Sequence, residues 1–241
     1  MAPLLEVRNV TCRFGALEAL SEVEFHLREG EILGIIGPNG AGKTTLFNVI
    51  TGSIGPSSGE VIFEGRKITG KKPYRICRLG IARTSQIARP FPGLTVLENV
   101  LIAAAYGKGL SLERARSEAR EILTSVGLGA VADVTPTAIS LASRRRLELA
   151  RALATGPRVL LLDENMAGLT SGEIEDMLEL LKGLRDRGIS LVVVEHIIKA
   201  VMGISDRIIV LDHGHKIAEG KPQEVASDPH VVEAYLGRQY A

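Results

Sequence analysis

The sequence predicts an α/β fold. Buried parallel strands alternate with helices, antiparallel-type strands come first, and a helical insertion interrupts the chain over roughly residues 96–140. Three observations predict it. The first stretch, up to about Phe63, consists of short strand-like runs ("LLEVRNV", "VEFHL", "EILGIIG", "GEVIFEG") punctuated by turn residues such as "TGSIGPSSGE". From Ser111 to Val126 apolar residues recur at Leu112, Ala115, Ala119, Ile122, Leu123 and Val126, which is helical spacing, and Ile174, Met177, Leu178, Leu181 and Leu184 repeat it. The wholly apolar runs "RVLLLD" and "ISLVVVEH" suit parallel strands covered on both faces.

Each part has its own justification. The 241 residues suffice for one domain with a large core, and the formal charge of +1 argues against a general nucleic-acid or lipid-surface binder. Cys12 and Cys77 stand far apart in no metal spacing, so they read as ordinary thiols in a reducing compartment. The start "MAPLLEVRNV" carries no basic stretch followed by an apolar one, so no signal peptide is expected. No apolar run approaches the roughly 18 residues that a membrane helix needs, so any membrane link is expected through a partner.

Chemistry enters at "GIIGPNGAGKTTLFNVI". Gly37, four residues, then Gly42-Lys43-Thr44 form the P-loop pattern, between a strand-like run (Ile32–Ile36) and a helix from Thr44 to Ile50. Glycine lets backbone N–H groups curl around phosphate oxygens, and the helix N-terminus adds partial positive charge. Gly37, Pro38, Asn39, Gly40, Ala41, Gly42, Lys43, Thr44 and Thr45 are thus candidate nucleotide contacts. Lys43 suits the β- and γ-phosphates, and the Thr44 hydroxyl suits Mg²⁺.

Further along, "VLLLDEN" ends a buried strand in two carboxylates. Asp163 suits the Mg²⁺ shell, and Glu164 suits acceptance of a proton from the attacking water, although paired acids also open helices. His196 follows the strand of "LVVVEHIIKA". It is either structural or a donor to the γ-phosphate. Gln86, in "RTSQIARPFPGLTVLENV", lies at the junction into the helical insertion, where it can orient water or metal.

These elements in this order resemble the ATP-binding cassette (ABC) family, over nearly the whole chain. "GPNGAGKTT" resembles its Walker A, Gln86 its Q-loop, "LLLDE" its Walker B, Ala167-Gly168-Leu169-Thr170 its D-loop and His196 its switch histidine. Phe14 matches the aromatic that stacks on adenine, with a core aromatic as the alternative. Within the family, "DENMAGLT", "DRIIVLDHGHKIAEG" and "DPHVVEAYLG" resemble cassettes of branched-chain amino acid importers, and lipopolysaccharide-export cassettes look similar. The resemblance implies a P-loop NTPase fold of ABC type: a RecA-like core, an antiparallel β subdomain and an inserted helical subdomain, all in one domain over 1–241. It implies ATP with Mg²⁺ and a second ATPase subunit whose signature motif completes each site. It also implies a membrane permease contacted from the cytoplasmic side of the inner membrane, a periplasmic binding protein acting indirectly, and no nucleic acid. Another transporter class, a soluble ABC ATPase or a nucleotide-dependent regulator are the alternatives.

One stretch departs from the family. The usual signature Leu-Ser-Gly-Gly-Gln reads Ile139-Ser140-Leu141-Ala142-Ser143 here. Ser140 keeps the hydroxyl that would face a partner's ATP and also suits an N-cap. Leu141 and Ala142 replace glycines. Where the backbone demands φ > 0, a side chain costs on the order of 1 kcal/mol or more; where it demands only close approach, the cost is steric. Such a motif weakens the partner's site and leaves the chain's own intact, so a heterodimer is expected. Arg144 stands four residues before Glu148, which predicts a helix-face ion pair.

Overall fold

Alternate burial along the first strand sets up the N-terminal layer. In β1 (Leu5–Phe14), Leu5, Val7 and Val10 turn inward, and Asn9 takes a left-handed φ of 46° where the pairing register shifts. β2 (Leu17–Leu27) pairs antiparallel with β1, which also pairs with a later strand, β4 below. β3 (Ile32–Ile36) then leaves this sheet, carrying five consecutive buried residues. It runs into the phosphate loop and α1 (Lys43–Ile50). The computed structural model describes residues 2–84 and 90–236.

β4 (Ser58–Phe63) and the short β5 (Arg66–Lys67) complete a four-stranded sheet in the order β2-β1-β4-β5 among the described residues. α2 (Pro73–Leu79) and β6 (Ile81–Arg83) follow. Next come α3 (Val96–Lys108), α4 (Leu112–Ser125) and α5 (Leu141–Leu153). Each starts where a side chain caps free backbone N–H groups. Thr95 and Glu98 form a reciprocal capping box on α3, Ser111 caps α4, and Ser140 accepts from the Ser143 N–H at the start of α5.

The second half alternates strand and helix: β7 (Val159–Asp163), α6 (Ser171–Asp186), β8 (Ser190–Val194), α7 (Ile198–Ile204), β9 (Arg207–Asp212) and β10 (His215–Gly220), then α8 (Pro222–Ala226) and α9 (Pro229–Leu236). The larger sheet runs β10-β9-β3-β8-β7-β6, parallel except for β10. β3, β7 and β8 are buried at every position, as their apolar runs require.

Successive residues of the central strands feed two different cores. Leu160 and Leu162 of β7, with Leu191 and Val193 of β8, pack under α3, α4 and α5 against Val100, Ala119, Leu123 and Leu147. Val159, Leu161, Val192 and Val194 face the other way, onto Leu46, Phe47 and Ile50 of α1 and Val7, Val23 and Leu27 of the antiparallel sheet. Burying each such side chain contributes roughly 1.5–3 kcal/mol.

The ion pair expected between Arg144 and Glu148 does not form. Arg144 turns back instead, donating to the carbonyls of Pro136 (3.0 Å) and Thr137 (3.2 Å) in the 3-10 turn before α5. Glu148 is 5% exposed and pairs with Arg151 at 3.5 Å. Unpaired carbonyls next to the helix start outcompete a partner one turn along, whose side chain is turned into the interior.

Candidate nucleotide site

The phosphate loop leaves the C-terminal edge of β3. Gly42 holds φ 103°, and a Cβ there would stand 2.7 Å from the Ala19 carbonyl oxygen, so the loop needs glycine for shape and for space. Lys43 is 6% exposed, and its Nζ donates to the carbonyls of Gly37 (2.6 Å) and Pro38 (2.9 Å). Burial lowers its pKa, and the negative charges of Glu164 and Asp163 oppose that lowering.

Asn39 through Thr45 line a cleft of about 440 Å³ together with Phe14, Leu17, Glu164 and His196. Phe14 is 47% exposed at this cleft, which disposes of the core-aromatic alternative. Its ring stands at the end of β1, where an apolar flat ligand can lie against it.

Asp163 and Glu164 divide at the end of β7. Asp163 is fully buried; its Oδ2 accepts from Arg83 Nη2 at 2.6 Å, and its Oδ1 is buried without a hydrogen-bond partner. Glu164 bends the chain sharply, with φ 50°. A left-handed non-glycine backbone costs on the order of 1 kcal/mol or more and is concentrated at functional sites. The bend delivers its carboxylate to the cleft, where Oε1 lies 2.6 Å from His196 Nε2. A carboxylate only accepts, so that nitrogen carries the proton.

Arg83 was not among the residues singled out from the sequence. Besides Asp163 it holds Asn48 Oδ1 at 2.6 Å, and its guanidinium lies 5.5 Å from the centroid of the Phe47 ring. The signal available was a cation closing a short apolar strand three residues before Gln86. Gln86 itself lies outside the described residues.

The orphaned Oδ1 of Asp163 and the exposed hydroxyl-bearing Thr44 at the cleft suit a hard, oxygen-loving cation. Among the described residues no group of three His, Cys, Asp or Glu side chains is placed to hold a metal.

Ser140, Leu141 and Ala142 do not line this cleft, nor do Ala167, Gly168, Leu169 and Thr170. These two segments meet each other instead. Arg145 Nη2 donates to the Ala167 carbonyl at 3.4 Å, and a Cβ on Gly168 would come within 3.0 Å of Leu141 Cδ2. Leu141 and Ala142 form the first turn of α5 and have no positive φ, so the backbone-strain alternative falls away. What remains is the bulk of Leu141, 44% exposed. Thr170 caps α6 through a box with Glu173.

Residues 20–167 match the family model described as ABC transporter. The chain belongs to the ABC transporter family. It is an ATP-binding, ATP-hydrolysing cassette and a component of a membrane transporter. The C-terminal residues 215–241 match a second model, described as branched-chain amino acid ATP-binding cassette transporter. The chain is 40% identical over 250 residues to the high-affinity branched-chain amino acid transport ATP-binding protein LivG of Salmonella typhimurium, covering 98% of each. Among solved structures it resembles a nucleotide-free ATP-binding cassette from an ABC transporter, with TM-score 0.89 and 33% identity over 97% of this chain and 99% of the other. It also resembles a dimeric cassette in a post-hydrolysis state bound to ADP and Pi, with TM-score 0.80 and 31% identity over 90% and 98%. No helix among the described residues is long and apolar enough to cross a membrane.

Proposed function

We propose that this ABC cassette energises import of branched-chain amino acids or related small polar substrates. It would work on a permease at the cytoplasmic side of the inner membrane, fed by a periplasmic binding protein. The observation that carries this is the match of residues 215–241 to the branched-chain cassette model, which favours it over lipopolysaccharide export. The likeness to LivG over 98% of both chains agrees.

The site residues suggest how the chain does its work. Phe14 stacks on the adenine. The phosphate chain lies along the backbone N–H groups of Asn39–Thr45, and Lys43 exchanges the carbonyls of Gly37 and Pro38 for the β- and γ-phosphates. Thr44, Asp163 and Gln86 would hold Mg²⁺, which neutralises phosphate charge. Glu164 accepts the proton of the attacking water. His196 gives up its hydrogen bond to Glu164 Oε1 and donates to the γ-phosphate, freeing the carboxylate for that proton.

Ser140 and the segment Ala167–Thr170 face the ATP of a second cassette. The Leu141 side chain stands where the family carries glycine, so a homodimer would hold two crowded sites. A heterodimer with a cassette bearing an intact signature keeps this chain's own Walker A and B site sound.

Reconstitution in liposomes tests both statements. The chain is combined with a branched-chain amino acid permease and a second cassette bearing an intact signature, and leucine uptake and ATP turnover are followed. Uptake driven by ATP is expected, with turnover at least tenfold above that of the isolated chain. Full turnover by the chain alone would overturn the heterodimer, and uptake of no branched-chain amino acid would overturn the cargo.

A further inference from the structure

Glu195 is a carboxylate with no part in the chemistry above. It sits one residue past the end of β8, is 3% exposed, and immediately precedes His196. Its Oε1 accepts the Met166 N–H at 2.6 Å, and its carboxylate is also held by the His196 backbone N–H. A buried carboxylate needs such donors, and a buried N–H needs its acceptor, so neither end of this contact is released cheaply.

Met166 lies two residues past the Walker B Glu164 and directly before Ala167–Thr170, and it is itself buried. On the other side, Ala167 is bonded by Arg145, 8% exposed on α5, the helix that Ser140 caps. We infer that Glu195 is a positioning residue that ties the backbone of His196 to Met166, so that a shift of His196 is passed to Ala167–Thr170 and from there to α5. The segment facing this chain's own nucleotide would thereby be linked to the segments facing the partner's. The inference rests on the proposed contact between His196 and the γ-phosphate.

The movement is read by hydrogen–deuterium exchange. The full chain carrying Glu164→Gln is compared with and without ATP and Mg²⁺, at a concentration where sedimentation shows a monomer, so that no partner touches the loop. ATP is expected to change exchange both at 195–198 and at 166–170. Adding Glu195→Met, similar in size but without an acceptor, is expected to keep the response at 195–198 and to hold the ATP Kd within about threefold, while the response at 166–170 disappears. Adding Glu195→Gln instead, which keeps an acceptor oxygen, is expected to retain both.

A response at 166–170 that survives Glu195→Met overturns the tie. So does a parent chain that responds at 195–198 and not at 166–170, an outcome that needs no Glu195 variant to fold. A parent chain silent at 195–198 instead overturns the placing of His196 on the nucleotide.

Discussion

Replacing Glu195 by glutamine should make the chain relatively more stable as pH rises. Burial pushes the Glu195 carboxyl from its ordinary 4.5 up to about 7, against the opposing backbone N–H groups of Met166 and His196. Between those two values the folded chain holds a proton that the unfolded chain has lost. Folding is therefore favoured by acid at this site, and that contribution is fully present below pH 4.5 and gone above about pH 7. The gap, at about 1.4 kcal/mol for each pH unit, is about 3 kcal/mol; most of it, about 2–3 kcal/mol, falls between pH 5 and pH 8. Glutamine fills the same space, keeps an acceptor for the Met166 N–H and does not titrate. Urea unfolding of both chains at pH 5, 6, 7 and 8 gives the stability difference at each pH, from which all other titrations cancel. The variant should gain about 2–3 kcal/mol on the native chain across that range. Parallel stabilities, within about 0.5 kcal/mol, would show that the carboxylate is not desolvated, and the reasoning from its burial would fail.

Glu164→Gln should bind ATP with unchanged affinity in an equilibrium titration and lower kcat by about 10²–10⁴, the worth of a general base; a kcat within threefold of the native value would remove Glu164 from that role. Arg83→Met should cost about 3–5 kcal/mol of stability by denaturant unfolding, because it strands the buried Asp163 charge, and Asp163→Asn added to it should recover part of that loss. Phe14→Ala should weaken nucleotide binding by about 0.5–1.5 kcal/mol, or roughly two- to twelvefold, and should leave the melting temperature nearly unchanged because the ring is 47% exposed.

How much of this was legible in the sequence follows from how far apart the interacting residues lie. The phosphate loop is a local pattern whose glycines, lysine and threonine act within eight residues, so it could be read directly. The buried strands announce themselves through unbroken apolar runs, as β7 and β8 do. Phe14 could be nominated but not placed, since a ring at a strand end suits a core as well as a cleft. Arg83 with Asp163 joins residues 80 positions apart, and Glu195 with Met166 joins residues 29 apart. Only the order of strands in the sheet brings those pairs together, and a single sequence does not state that order. Arg144 shows the converse error. A spacing rule for exposed helix faces was applied at a helix start, where unpaired carbonyls compete and where Glu148 is turned inward.

The alternation of side chains along β7 and β8 has a mechanical meaning. Those two strands act as a bulkhead between two separately sealed compartments, one under the helical layer and one around α1. Contacts at the seam under the helical layer are made by different side chains from those at the seam that holds the phosphate loop. Damage is contained in the same way. A cavity cut at Leu162 drains the helical side, and one cut at Leu161 drains the nucleotide side. Neighbouring positions in the chain thus guard different halves of the machine.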